Sequence, residues 1–393
     1  MKPKALLIEA CDFEAFPVGG QLAYVKHLMA TLGNRFALVG VCTDGTEPGR
    51  WIEREVLGQR FYFFGIGKRN PKAAKPLVPR RLSAFIDLKR HEHGIMSLGV
   101  RSAYLHAPET LLAVRGWKLD HICYHFHGVE NPLSMPRYRF GRLFSGIFEK
   151  ELFLAIRDRV ERVLVSADKK SIDVLRKRGE GLLDGTQISQ FPTRVDTRVF
   201  LPDHNLRSHS PVGLDKRPVF VTCGRVNRVK GWDFLIEAFK HISDKIPAAQ
   251  LYFVGDGEDA SKLINMADTF GLKRSVHVTG FQDPKSVAAY LNASDVFVMG
   301  SLREGWSVAM LEALACGLPI VTTNVSGAEE LIVTGKNGFI VNDRTPAIFA
   351  ERMLDALELP YPNDNSIAVA DRFALDRLAE DLSNGWPALA WES

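Results

Sequence analysis

No apolar run in this chain approaches the ~20 residues that cross a bilayer as a helix, which excludes a helix-spanning membrane protein. The stretch from Lys4 to Ala10 has a short apolar run before Glu9, with Asp12 close behind, and reads as a first strand rather than a signal peptide. Cysteine is scarce, with 5 residues at positions 11, 42, 123, 223 and 316. An odd number at wide spacing excludes a disulfide framework and offers no metal-binding pattern; apolar neighbours point to buried thiols in a reducing, cytoplasmic setting. Net charge is also small, at +4, too little to argue for a nucleic-acid partner.

What is present is an ordinary globular composition, 46% hydrophobic and 24% charged, over 393 residues. That length suffices for two domains, each with its own core. Apolar strands alternate with helical patterns in both halves, the sign of parallel sheets. A polar stretch without periodicity, 203–216, separates them. The reading is α/β: an N-terminal domain over 1–203, a C-terminal domain over 216–371, and a last helical segment, 372–393, that packs back on the first domain.

The stretch from Ser301 to Pro319 is the most informative. Ser307 reads as a helix N-cap, Trp306 and Leu311 stand at staple positions, and Gly317 with Pro319 ends the helix. Glu312 is the single charge in an otherwise apolar helix. A buried carboxylate needs a cation, backbone donors or ligand hydroxyls. Glu304 lies in the loop before the helix, where the amides of Gly305, Trp306, Ser307 and Val308 form a cup for anions and hydroxyls. Two readings stand side by side: a buried ion pair with a solvated loop acid, or two carboxylates flanking the donors of a ligand site.

Other candidates sit at carboxyl ends of strands. Gly19 and Gly20 precede the first helix, and a tight turn alone would also account for the pair. His125 and His127 share one face of a strand closing at Gly128, which suggests one satisfied histidine and one in the cleft, with no third metal ligand at usable spacing. Arg225 and Lys230 stand beside a helix N-terminus, where a diphosphate would fit. Gly255-Asp-Gly-Glu-Asp-Ala260 matches a dinucleotide fingerprint, but on the second strand of its domain and with three acids that would repel a pyrophosphate. Residues 68–90 and 137–144 are basic with interleaved apolar residues: a solvated face, or a docking surface for anionic lipid headgroups.

Taken together, Glu304-x7-Glu312 with the following Ala-Leu-Ala-Cys-Gly-Leu-Pro, Gly224-Arg225 with Lys230-Gly231, the Val-Gly-Asp-Gly loop, Ala293-Ser-Asp-Val-Phe297, and Gly327 with Glu330 resemble glycosyltransferase family 4, of the GT-B type. The resemblance implies two Rossmann-like domains facing across a cleft, and a retaining transfer of a hexose from a UDP- or GDP-sugar to a saccharide or lipid-linked saccharide. It places Glu312 on the ribose, Glu304 on the donor sugar, Arg225 and Lys230 on the diphosphate, His127 at the reaction centre, and Gly19, Gly20 and Gly327 around the donor. No Asp-x-Asp stands at the place where a metal would be held, so no divalent ion or other cofactor is expected. The enzyme would work in envelope polysaccharide synthesis, in the cytoplasm or peripherally at the inner membrane face. A nucleotide-sugar isomerase of the same architecture, or a non-catalytic regulator that binds nucleotide sugar, are the rival readings.

Overall fold

The computed structural model describes residues 2–17, 20–71, 79–131, 141–208 and 216–389. It divides into two compact units, one of Met1–Pro192 with Asp376–Ser393 and one of Thr193–Leu375.

In the N-terminal unit, strands β1 (Ala5–Ile8), β2 (Phe36–Cys42), β3 (Trp51–Val56), β4 (Gln59–Lys68), β5 (Ser102–Leu105), β6 (His121–Phe126), β7 (Arg162–Val165) and β8 (Ile188–Gln190) form one sheet. Its order is β3-β4-β2-β1-β5-β6-β7-β8. All described pairings are parallel except the β3–β4 hairpin. Strands β1 and β2 are buried along their whole length, as sheets covered by helices on both faces require. The chain leaves β1 for β2 on one side and reaches β5 on the other, so the carboxyl ends of β1 and β5 form the switch point where such sheets bind ligands. The helix Leu378–Gly385 closes the unit: Leu378, Leu382 and Trp386 are fully buried, and the Trp386 ring lies 5.9 Å from that of Tyr104. Trp386 Nε1 donates to Glu161 at 3.3 Å.

In the C-terminal unit, β9 (Val219–Cys223), β10 (Gln250–Val254), β11 (Val276–Val278), β12 (Val296–Met299), β13 (Ile320–Thr323) and β14 (Gly338–Val341) form a wholly parallel sheet. Its order is β11-β10-β9-β12-β13-β14. The switch point here lies between β9 and β12. The unit begins before the polar 203–216 stretch, because Val195 bridges to Ala374 and Phe200 enters the core. Asn292 then ties down Leu201 and Asp203, at 3.0 and 2.7 Å. Within that stretch His204–Ser208 is helical, and 209–215 lie outside the described residues.

Three strands, β3, β4 and β5, carry no clear signal in the sequence. The β3–β4 turn uses Leu57 and Gly58 at φ 52° and 72°, a left-handed pair usually written Asn-Gly. Strand β5 has only four residues, all buried. Among the described residues no helix is long and apolar enough to cross a membrane.

Candidate active site

The loops after β9, β12 and β13 are neighbours because their strands are. The loop after β9 turns through the short 3-10 helix Arg228–Lys230, capped by Asn227, into the helix Trp232–Lys245. Gly231, at φ 64°, joins the two; a Cβ there would lie 1.9 Å from the Gly300 carbonyl oxygen, so only glycine permits the approach of the loops. Lys230 Nζ thereby reaches Glu304 Oε1 at 2.7 Å, and Ser301 Oγ donates to the same oxygen at 2.6 Å. Arg344 holds the strand end from behind, donating to the carbonyls of Gly300 and Ser301 at 2.8 and 3.2 Å. Thr222, Gly224, Arg225, Lys230, Met299 and Ser301 line a small cavity at this point.

Ser307 accepts from the Met310 amide at 3.3 Å and starts the helix Val308–Ala315. Among the described residues, the amides of Gly305 to Ala309 meet no acceptor and remain free for an anion or hydroxyl. Trp306 is buried against Phe373, at 5.3 Å between rings, and Gly327 begins the helix Ala328–Leu331 beyond β13. Glu312 is half-buried without a hydrogen bond or ion pair among the described residues, near the Cys223 and Cys316 thiols. Desolvation pushes its carboxyl up to about 8. Arg225 is exposed at the mouth.

The loop after β10 does different work. A Cβ at Gly255 would fall 2.0 Å from the Gly224 carbonyl oxygen, and one at Gly257 2.2 Å from that of Val226. The Val226 amide donates to the Asp256 carbonyl at 2.9 Å. The fingerprint-like glycines thus allow one loop to brace the phosphate-side loop by close backbone contact.

In the N-terminal unit, Gly19 lies outside the described residues and Gly20 opens the helix Gly20–Leu32. His127, just past β6, has a buried Nε2 without a hydrogen-bond partner; desolvation and then repulsion from His106 hold its ring well below the ordinary histidine range. His125 is saturated. Ser166 Oγ donates to the Phe191 carbonyl at 2.8 Å and so accepts from His125 Nε2, at 2.8 Å; Tyr104 OH then donates to His125 Nδ1, at 2.9 Å.

Sequence reasoning missed His106 and Glu9. His106 follows β5, 5% exposed, with Nδ1 3.0 Å from Glu9 Oε2 and a buried Nε2 without a hydrogen-bond partner. One ring nitrogen from each of His106, His125 and His127 lies within 4.8 Å of the others, a grouping that could hold a metal. His125 has no lone pair left to give, which leaves two ligands where a zinc site uses three or four.

Residues 207–371 match the family described as Glycosyl transferases group 1. Similar chains include the D-inositol 3-phosphate glycosyltransferase of Corynebacterium jeikeium, 26% identical over 85% of this chain and 82% of the relative. The GDP-mannose-dependent alpha-(1-6)-phosphatidylinositol monomannoside mannosyltransferase of Mycolicibacterium smegmatis is 34% identical over 50% of this chain. In the matches at 34% identity the chain spans about half the relative's length, 49% and 56%. Anabaena HepE, solved with UDP and glucose, superposes with a TM-score of 0.71 over 97% of this chain and 99% of its own, at 16% identity. That likeness shows the shared GT-B fold of two Rossmann-like domains.

Proposed function

We propose that this protein is a retaining glycosyltransferase that moves a hexose from a UDP- or GDP-sugar to a saccharide or lipid-linked saccharide, without a divalent ion. The observation that carries the reading is the C-terminal switch point. An ion pair fixes Lys230 and Glu304 beside a row of free amides, and Glu312 waits without a partner. A departing nucleoside diphosphate develops negative charge, and Lys230, Arg225 and the amides of Gly305 to Ala309 are fixed donors for it. Ribose hydroxyls would satisfy the Glu312 carboxylate, and Glu304, held by Lys230 and Ser301, would accept from the donor sugar. His127, in the N-terminal unit, carries a neutral imidazole. Relatives support either base: UDP sits in the HepE complex, and GDP-mannose is named for the mannosyltransferase.

A lipid-linked acceptor at a membrane surface is supported by exposed Leu82 and Ile86 beside exposed Lys89 and Arg90 on the helix Arg80–Met96. Exposed Phe144 and Ile147 lie on the helix Gly141–Arg159, and both helices flank Pro108–Val114. Part of the basic run is already paired: Lys68 with Glu47, Arg69 with Asp87 at 2.6 Å, and Arg81 with Glu109 at 3.6 Å. Residues 72–78 and 132–140 lie outside the described residues.

The test is thermal unfolding of chelator-treated protein with UDP, GDP, ADP or NAD. A ligand at 100 times its Kd adds about 2.7 kcal/mol. A midpoint shift with UDP or GDP supports the reading and names the base; a shift with NAD alone overturns it. Mass analysis of products separates transfer from isomerisation, and absence of any product leaves a binding regulator.

A further inference from the structure

The N-terminal switch point holds two buried imidazole nitrogens without hydrogen bonds, His106 Nε2 and His127 Nε2. Native structures leave few such groups, so each calls for an occupant. Glu9 determines what His106 can do. Its Oε1 accepts from the Ala10 amide at 3.2 Å, and its Oε2 accepts from Gln21 Nε2 at 3.0 Å and lies 3.0 Å from His106 Nδ1. A carboxylate is an acceptor, so His106 Nδ1 carries a proton, and in the neutral ring the lone pair is then on Nε2. His127 is neutral and can donate from Nε2. One acceptor and one donor, on rings whose centroids lie 4.8 Å apart, match a hydroxyl, which gives one hydrogen bond and takes another.

We propose that Glu9, His106 and His127 form a hydroxyl-binding subsite, in which a substrate hydroxyl donates to His106 Nε2 and accepts from His127 Nε2. His106 is then a specificity-determining residue and Glu9 a positioning residue that locks its tautomer. The chemical class is a sugar or polyol alcohol, carried either by the donor sugar or by the acceptor. Water, the smallest such molecule, fits as a placeholder. The inference rests on the glycosyl-transfer reading above.

The test uses the wild-type protein as reference and three variants: His106→Leu, which removes the acceptor; His106→Gln, which keeps one; and Glu9→Gln, which releases the tautomer. Hydrolysis of UDP-glucose and GDP-mannose, and transfer to added lipid-linked saccharide extract, are measured for each. His106→Leu should lower kcat/KM at least tenfold, with partial recovery in His106→Gln. A loss in hydrolysis assigns the hydroxyl to the donor sugar; a loss confined to transfer assigns it to the acceptor. Long-range nitrogen NMR of labelled histidine should show neutral His106 protonated on Nδ1 in the wild type, and both tautomers in exchange in Glu9→Gln. Wild-type kinetics in His106→Leu, or a proton on Nε2 of wild-type His106, overturns the proposal. So does one equivalent of tightly held zinc that His106→Leu abolishes, since that outcome makes the cluster a metal site. UDP and GDP thermal shifts are read on every variant. Shifts kept with unchanged kinetics sink only this subsite, whereas no shift in the wild type sinks the glycosyl-transfer reading itself.

Discussion

The two units present the same kind of switch point with opposite chemistry. In the C-terminal unit the carboxyl ends of β9 and β12 carry Lys230, Arg225 and free amides; Glu304 is tied to Lys230, and Glu312 has no hydrogen bond or ion pair among the described residues. In the N-terminal unit the ends of β1, β5 and β6 carry histidines, with Glu9 shielded by three donors. The same strand crossover at the two switch points therefore brings together a Lys–Glu ion pair beside free amides in one unit and histidines beside a Glu carboxylate in the other. In the proposed reading the fold fixes where a ligand sits, and the strand-end residues decide whether it is an anion or an alcohol.

The sharpest way to break this contrast is to ask Glu312 for its protonation state. Its folded value of about 8 lies above the unfolded 4.5, so the native state holds the proton more tightly. Stability is then greatest below pH 4.5 as far as this group is concerned, and falls as pH rises toward 8. The shift corresponds to a loss of order 4 kcal/mol. Urea unfolding of wild type and Glu312→Gln across that window should show the decline in the first and not in the second. A parallel decline in both would assign it to other groups.

Turnover probes the charged cradle next. Glu304→Ala should slow transfer roughly 10²–10³-fold while nucleotide affinity changes little, because its role lies at the sugar. Gly231→Ala tests the scaffold: with a Cβ 1.9 Å from the Gly300 oxygen, the loops must separate, at about 3 kcal/mol in chemical denaturation. If Gly231→Ala is neutral, the approach of the two loops is not what seats Lys230. Lys230→Met should weaken UDP or GDP binding by about 2 kcal/mol and flatten its salt dependence, since a charge-assisted contact is removed. The smallest effect concerns the surface. Leu82→Ser with Ile86→Ser should lower binding to anionic vesicles by about 2 kcal/mol from lost apolar contact; unchanged vesicle binding would remove the membrane contact from the account.

Much of the fold was legible because parallel strands buried on both faces read as continuous apolar runs: β2, β10, β13 and β14 stand where their sequence puts them. The central helix was legible from its caps, Ser307 and the residues around Gly317. The hairpin of β3 and β4 was not, since Leu57 occupies a left-handed position that sequence patterns reserve for Asn or Gly. Missing β5, only four residues long, hid His106, and with it the partner of Glu9. Spacing along a chain cannot bring Glu9, His106 and His127 together; only the strand order β1-β5-β6 does. The same limit applied to Lys230 and Glu304, each a visible candidate alone, whose ion pair depends on β9 lying beside β12.

The most direct measurement is calorimetric titration of UDP and GDP into wild type and Glu312→Ala, in buffers of different ionisation enthalpy. Ribose hydroxyls favour the ionised carboxylate, so binding below pH 8 should release a proton and tighten as pH rises, in the wild type alone. The account predicts an affinity loss of tenfold or more in Glu312→Ala together with loss of that proton. Equal affinity in both proteins, with no proton released by either, would contradict it.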